Sequence, residues 1–261
     1  MKHFRLPRWS YLPLAALFWV GLWWILAACF DKPLLLPTPF AVLKALGKMA
    51  LEGDFWLSVG ASLLRILLGI LLALLCGALL ALLTVKSQFL HHLASPLLTL
   101  FKATPVASVI FLVLLWIGSN AVPVLIAFVM ALPIVWSNVR EGLLHTDRKL
   151  LEMAQVFGLS KKDKLLSIRI PSLYPYFLAA CRSAIALAWK AGIAAEVLCL
   201  PGNAIGRGIY DSKLGLETDD LFAWTLTVIL ISVAVEWLAL ILLEKAKAHK
   251  QEKEETHDNA L

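Results

Sequence analysis

The chain of 261 residues is 60% hydrophobic and only 16% charged, with a mean hydropathy of +0.80. Soluble globular proteins carry about 25% charged residues, so a water-soluble fold of this length could not bury so much apolar surface. The composition excludes a cytosolic enzyme, a disordered protein and a secreted disulfide scaffold. The net charge of +6 does not indicate a nucleic-acid partner, because the basic residues lie between apolar runs and form no single water-facing cluster.

The apolar runs predict an all-α, polytopic membrane protein. A helix rises 1.5 Å per residue, so about 20 apolar residues cross the hydrocarbon core of a bilayer, which is about 30 Å thick. The uncharged run 103–139 is too long for one crossing, and the turn residues Gly118-Ser119-Asn120, followed by Pro123, divide it into a hairpin. We therefore predict six transmembrane helices, at about 10–30, 56–85, 103–118, 121–140, 174–200 and 221–244.

Three segments outside these helices also have a predicted structure. Residues 33–55 are expected to form an external loop with a short amphipathic helix after Pro39. The glycine-rich stretch 202–208 lacks the G-x-G-x-x-G order of a nucleotide-binding loop and predicts a turn leading into a short helix. The transmembrane domain spans 1–244, and the alternating Lys and Glu residues of 245–261 predict a solvated tail.

The distribution of basic residues predicts the orientation of the helices. An even number of crossings places both termini on one side of the membrane. Sixteen of the 24 Lys and Arg residues lie in the N-terminal segment, the segments 86–102 and 140–169, and the tail, whereas five lie in the loops of the other side. Cytoplasmic loops carry the excess of Lys and Arg, so both termini are predicted to be cytoplasmic.

The segment 145–171, between the fourth and fifth helices, predicts a helix–turn–helix that we call the elbow. Leu150, Leu151, Ala154 and Phe157 fall at helical spacing on one face, which indicates a short amphipathic helix outside the membrane. Gly158 favours the left-handed conformation that ends a helix, and a capping box of Ser160 and Asp163 is expected to begin the next one. A helix lying on the bilayer surface would produce the same pattern.

The elbow resembles a loop found in one class of transport proteins. Glu152, Ala154, Gly158, Ile168 and Pro171 fall at the positions of an E-A-A, three residues, G, nine residues, I-x-L-P pattern. This pattern marks the permease subunits of binding-protein-dependent ABC importers. The sequence departs from it at two positions, with Met153 in place of alanine and Ile170 in place of leucine.

Four further segments extend the resemblance over nearly the whole chain, to the nitrate, sulfonate and taurine branch of these importers. They are Leu36-Pro37-Thr38-Pro39, Ser62-Leu63-Leu64-Arg65, Leu115-Trp116-Ile117-Gly118 and Ala194-Ala195-Glu196. The resemblance implies a type I ABC importer permease fold, multi-pass in the cytoplasmic (inner) membrane. It also implies a transport subunit and not an enzyme, carrying a small anionic nutrient of the sulfonate, taurine or nitrate type.

In such permeases the elbow docks on a separate ATPase. The residues that the resemblance places in this coupling are Glu152, Met153, Ala154, Phe157, Gly158, Leu159, Ile168 and Pro171. The chain contains no G-x-x-x-x-G-K-[ST] motif, so ATP and Mg²⁺ are expected to bind to two partner ATPase subunits. The resemblance further implies a second permease copy, in a homodimer, and an extracytoplasmic solute-binding protein.

Two alternative functions remain open. One is import of a vitamin-like or pyrimidine precursor by the same machinery, and the other is a carrier or channel subunit without an ATPase.

Ionisable residues inside the predicted helices are candidates for the translocation pathway. An ionised side chain at the bilayer centre costs about 3 kcal/mol or more unless it has a partner or a wet cavity. The candidates are Arg182, Trp189, Lys190 and Glu196 in the fifth helix and Glu236 in the sixth. Arg182 and Lys190 would attract an anion. In the alternative interpretation Arg182 and Glu196 lie at the two interfaces, Lys190 pairs with Glu236, and Arg65 pairs with Glu236 or a backbone carbonyl.

Overall fold

The computed structural model describes residues 11–30, 32 and 34–258, and their regular secondary structure is helical. The helices are α1 (Tyr11–Phe30), α2 (Pro39–Met49), α3 (Gly53–Lys86), α4 (Gln88–Ala103), α5 (Val106–Leu114), α6 (Val122–Leu144), α7 (Arg148–Val156), α8 (Lys161–Lys164), α9 (Ile170–Cys199), α10 (Ile205–Leu214) and α11 (Thr218–Asp258). A π-helical turn, Leu165–Arg169, joins α8 to α9. The predicted short helix after Pro39 is confirmed as α2, with the Thr38 hydroxyl accepting from the backbone N–H of Ala41.

Small residues let α3 pack closely against α6. Gly69, Ala73, Gly77 and Ala81 recur every four residues on one face of α3, and all four are buried. A Cβ atom on Gly77 would lie 2.8 Å from the Cβ atom of Val135 in α6. Lipid tails are as apolar as the side chains, so helices in a membrane associate through close packing of this kind rather than through the hydrophobic effect. The helices α3, α6 and α9 form the centre of the bundle.

Five of the described helices are long and apolar enough to span a membrane, and the bent pair α4–α5 is the candidate for a sixth crossing. Near the start of α3, Arg65 bonds to Asn120, just before α6. Near the end of α3, the Thr84 hydroxyl accepts from the Trp136 indole, 3.0 Å away and well along α6. Because α3 and α6 therefore run in the same direction, the chain between them must return across the bundle. The bent pair makes that return, in agreement with the six predicted crossings.

The third crossing differs from the single helix predicted at about 103–118. It consists of α4 and α5, which meet at an angle of 103°. The break falls at Thr104 and Pro105 because the residue before a proline is driven out of the helical region, and Thr104 has the extended angles φ −77° and ψ 131°. The last helix also differs from its prediction: α11 continues to Asp258, about 14 residues past the end predicted at 244.

The elbow lies at one end of the bundle, which we call the elbow end. The indole of Trp23 in α1 stacks on the ring of Phe222 in α11, with centroids 5.9 Å apart. The Thr218 hydroxyl at the start of α11 donates to the carbonyl oxygen of Leu34, just after α1. The end of α1 and the start of α11 therefore lie together. The start of α11 also packs on α10, which follows the end of α9 that is farthest from the elbow. Both ends consequently lie at the opposite end, and the remaining ends of α1 and α11 lie at the elbow end.

Candidate functional site

The elbow has the local structure that its sequence predicted. At its turn, Gly158 has φ +68°. Its N–H donates to the carbonyl of Gln155 at 3.1 Å, and the N–H of Leu159 donates to the carbonyl of Ala154 at 3.0 Å. This pair of bonds is the Schellman arrangement that ends a helix and satisfies its last carbonyls. The prediction that Gly158 ends the first limb of the elbow is confirmed.

The second limb begins with a capping interaction between Ser160 and Asp163. The Ser160 hydroxyl oxygen accepts from the Asp163 N–H at 3.2 Å and donates to the Asp163 carboxylate at 2.6 Å. In a full capping box the Asp163 carboxylate would accept from the backbone N–H of Ser160. Here it accepts from the Ser160 hydroxyl instead. Both limbs are consequently fixed by local hydrogen bonds.

The elbow presents apolar side chains to its surroundings. Ala154 is 3% exposed, whereas Met153 is 52%, Val156 84% and Phe157 74% exposed. The predicted apolar face of α7 is therefore divided, since Ala154 is buried and Phe157 is exposed. An exposed patch of large apolar side chains on an ordered segment is typical of a surface that binds a partner or a membrane.

The remaining residues expected to act in coupling surround this patch. Glu152 and Pro171 are exposed, and Leu159 and Ile168 are half-buried. Pro171 has no N–H to donate, and its ring crowds the preceding turn. That turn is the π-helical one, in which the N–H of Ile170 bonds to the carbonyl of Leu165. The helical backbone runs from Lys161 through this turn into α9, so the second limb of the elbow is an extension of α9.

At the opposite end of α9 lies a group of buried polar residues, Ser62, Arg65 and Glu196, which we call the polar cluster. The Glu196 side chain is fully buried. Its Oε2 accepts from the Ser62 hydroxyl at 2.7 Å, and its Oε1 accepts from Nη1 of Arg65 at 3.2 Å. A buried carboxylate is stable only when it is hydrogen-bonded and paired, and both conditions are met here.

The polar cluster also caps the N-terminus of α10. The residue at the N-cap position, Ala204, has no side chain that could accept a hydrogen bond. The N–H of Ile205 donates instead to the Ser62 hydroxyl at 2.9 Å, and the N–H of Gly206 donates to Oε2 of Glu196 at 3.2 Å. Free N–H groups and the helix dipole both favour a carboxylate at this position, so α10 is attached to α3 and α9 through its first turn.

Arg65 holds the loop between α9 and α10. Its Nη2 donates to the carbonyl of Gly202 at 2.7 Å, and its Nη1 donates to the carbonyl of Asn203 at 3.1 Å. A longer contact of 3.4 Å reaches the Asn120 side chain in the turn before α6. The expectation that Arg65 pairs with a backbone carbonyl is confirmed, but its acidic partner is Glu196 and not Glu236.

The structure separates the predicted pathway residues into two groups. Trp189 is 1% exposed, and its indole N–H donates to the carbonyl of Val228 in α11 at 3.2 Å. Trp189 packs between helices and Glu196 belongs to the polar cluster, so within this chain neither side chain has the exposure that a pathway role predicts. Arg182 and Lys190 are exposed on α9. Lys190 and Glu236 form no ion pair in the described part of the chain.

Sequence reasoning did not find the polar cluster. Its members Ser62 and Arg65 lie 134 and 131 residues from Glu196, so no local pattern joins them. The available signal was an unpaired acid and an unpaired base, Glu196 and Arg65, in different apolar helices. Each needs a partner in a membrane, which makes them candidates for one another.

A bundle of helices able to span a membrane, with an ordered elbow between two of them, is the architecture that the sequence predicted for a transport permease. The chain belongs to the family described as binding-protein-dependent transport system inner membrane component, whose profile matches residues 65–247. It is therefore a multi-pass transport subunit of the inner membrane and not an enzyme. Membership of this family implies an ATPase and a solute-binding protein as partners.

Three relatives agree with this assignment. The chain is 27% identical over 190 residues to the putative aliphatic sulfonates transport permease protein SsuC of Bacillus subtilis, covering 72% of this chain and 68% of the relative. It is 31% identical over 188 residues to the nitrate import permease protein NrtB of Synechococcus elongatus, covering 64% and 67%. It is 29% identical over 233 residues to the formylaminopyrimidine transport permease protein ThiX of Halalkalibacterium halodurans, covering 85% and 90%. The predicted resemblance to the nitrate and sulfonate branch is confirmed.

Proposed function

We propose that this chain is the permease of an ATP-driven importer and that its elbow docks on a separate ATPase. The observation that carries the proposal is the exposed patch of Met153, Val156 and Phe157 on an elbow that is capped at its turn and continuous with α9. ATP and Mg²⁺ bind to the ATPase. Two copies of this chain and two ATPase subunits make up the transporter, with the elbow end facing the cytoplasm.

In this mechanism the elbow transmits movement from the ATPase to the helices. ATP binding draws two ATPase subunits together and displaces the elbows seated on them. The local bonds at Gly158 and Ser160 keep each elbow in one shape, and its second limb passes the displacement to α9. The two bundles then rock between states open to one side of the membrane and states open to the other, a rigid-body transition of a common type.

Replacing Phe157 with serine tests the docking. Phe157 is 74% exposed, so the change should leave the fold intact while removing an aromatic side chain from the interface. Truncation of such an anchor typically costs about 2 kcal/mol or more, so affinity for the ATPase should fall by at least about tenfold. Affinity is measured with the purified permease and its ATPase in detergent.

The matched control is Phe40→Ser, which removes a phenylalanine of similar exposure, 66%, from α2. Its affinity for the ATPase should equal that of the unaltered chain. If Phe157→Ser also binds with unaltered affinity, the elbow lies on the bilayer instead. A carrier or channel subunit that works without an ATPase would show no affinity in any variant.

The cargo that we propose is a small anionic nutrient of the sulfonate, taurine or nitrate type. Two cations, Arg182 and Lys190, have exposed side chains on α9, whose sequence is otherwise largely apolar. An ionised side chain facing lipid is costly, so these side chains are expected to face a wet cavity between two permease copies. The sulfonate and nitrate cargoes in the names of SsuC and NrtB support this choice.

A pyrimidine precursor is the second candidate cargo. ThiX, whose name describes formylaminopyrimidine transport, matches a larger share of both chains than SsuC or NrtB does. Thermal-shift measurements on the partner solute-binding protein, with taurine, nitrate and an aminopyrimidine as ligands, would distinguish the two cargo classes.

Replacing Lys190 with methionine tests its role in the pathway. A charge-assisted hydrogen bond is worth about 1.5–3 kcal/mol, so uptake of an anionic cargo should fall by about tenfold or more, with normal assembly. Uptake is measured in proteoliposomes, with Lys44→Met on α2 as the control for the loss of an exposed lysine. Unchanged uptake of an anion would exclude a pathway role for Lys190, and loss of expression would show that Lys190 is structural.

A further inference from the structure

The polar cluster attaches α10 to the end of α9 that lies farthest from the elbow. We propose that Glu196 is a positioning residue that makes α10 and the loop 200–204 follow α9 when the elbow moves. In this role α10 and its loop form the movable gate at that end of the pathway. The inference rests on the proposed coupling through the elbow, and it adds a defined connection on the other side of the membrane.

The first argument is that α10 depends on other helices for its cap. The N–H groups of Ile205 and Gly206 are both satisfied by side chains of α3 and α9, as described above. A helix whose first turn is capped by its own N-cap residue can shift without losing these bonds. The start of α10 cannot separate from Ser62 and Glu196 without leaving buried N–H groups unpaired, which is unfavourable.

The second argument is the close packing of α10 on both sides. A Cβ atom on Gly206 would collide with the Cβ atom of Glu196, and one on Gly208 would collide with the indole of Trp224 in α11. The backbone of α10 thus fits against α9 and α11 with no space for a side chain at either glycine. Protein interiors packed to this density transmit displacement rather than absorb it.

The third argument concerns the loop that connects the two helices. Leu200 and Asn203 have φ values of 49° and 44°, in the left-handed region that residues with a Cβ atom rarely adopt. Such conformations persist where the surroundings hold them. Arg65 does so here, because its guanidinium donates to the carbonyls of both Gly202 and Asn203 while it pairs with Glu196.

These features connect the two ends of one helix. The 30 residues of α9 make it about 45 Å long, with the elbow attached at its start and Glu196 one turn before its end. A displacement of the elbow therefore reaches α10 through a single helix and the bonds of the polar cluster. Without those bonds, α9 would move and α10 would not follow.

The test uses the complete transporter of permease, ATPase and binding protein in proteoliposomes, and compares uptake with ATP hydrolysis. In Ser62→Ala and Glu196→Leu, the ATPase should stay bound and hydrolysis should continue. The cargo imported per ATP hydrolysed should fall by at least about tenfold, since each change removes a buried cap and leaves its partners unpaired. Glu196→Gln keeps an oxygen that can accept from Ser62 and Gly206, so it should restore most of that ratio.

The matched control is Thr227→Val, which removes a buried hydroxyl that donates to the Ala223 carbonyl of its own helix. Its uptake per ATP should be unaltered. The proposal is overturned if uptake and hydrolysis fall in parallel in Ser62→Ala, or if Glu196→Gln is as defective as Glu196→Leu, because a merely structural role predicts both. Failure of the coupling proposal is seen separately, as unaltered ATPase affinity in Phe157→Ser.

Discussion

Replacing Gly158 with leucine is expected to abolish stable association with the ATPase. Gly158 has φ +68°, and its open surroundings contain no atom that a Cβ would meet within 4 Å. The effect therefore arises from the backbone alone, since a left-handed residue with a Cβ atom costs about 1–2 kcal/mol relative to glycine. A change in this turn redirects the two limbs of the elbow relative to one another. The exposed patch of Met153, Val156 and Phe157 would then be misdirected, and affinity for the ATPase should fall by well over tenfold.

Two measurements separate this explanation from general damage. Asparagine tolerates the left-handed conformation, so Gly158→Asn should keep most of the affinity for the ATPase. The melting temperature of the isolated permease should change little in either variant, because the turn is exposed. Undiminished ATPase association and transport in Gly158→Leu would contradict a role for the shape of the elbow.

Replacing Gly69 with leucine is expected to have the largest effect on the fold itself. A Cβ atom at this position would collide with the backbone carbonyl oxygen of Val124 and would lie 2.8 Å from the Cβ atom of Ala127, both in α6. Backbone atoms cannot move aside as the end of a flexible side chain can. Overpacking typically costs about 1–3 kcal/mol of folding free energy. Here it would also separate α3 and α6 along their length, so we expect that little folded protein can be extracted in detergent.

The same helix provides a matched control for Gly69. Gly60 lies on an exposed part of α3, and a Cβ atom there would meet nothing within 4 Å. Gly60→Leu should therefore give a normal gel-filtration profile and melting temperature, while Gly69→Leu should aggregate or melt at a much lower temperature. Equal stability of the two variants would show that the close approach of α3 and α6 does not hold the bundle together.

The elbow was predictable from sequence because its determinants are local. Gly158, Ser160 and Asp163 act on backbone groups at most a few residues away, so their types and spacing predict the turn before any tertiary structure is known. The division of its apolar face was not predictable in the same way. Whether Ala154 or Phe157 is buried depends on which other parts of the chain pack against the elbow, and spacing alone does not contain that information.

The charged residues within the helices show the limit of the same reasoning. The sequence indicated that Arg65 and Glu196 each require a partner, because ionised groups in lipid are costly. It did not indicate that they are partners of one another. Arg182, Trp189 and Glu196 recur every seven residues and therefore share one stripe of α9, yet Trp189 and Glu196 are buried and Arg182 is exposed. Periodicity shows which residues share a face but not what that face contacts.

The sequence by itself determined that the apolar helices lie in lipid, how many times the chain crosses the membrane and where the elbow turns. Hydropathy, segment length and capping residues act over a few turns of one helix, so they can be read without the tertiary structure. Tertiary structure decided the partner of Arg65 and the cap of α10. The last of these joins Ser62 and Glu196, which are 134 residues apart, to the N–H groups of Ile205 and Gly206. Such contacts arise only when α3, α9 and α10 pack together, because the hydrogen bonds within a helix leave the N–H groups of its first turn, and its polar side chains, to be paired by its neighbours.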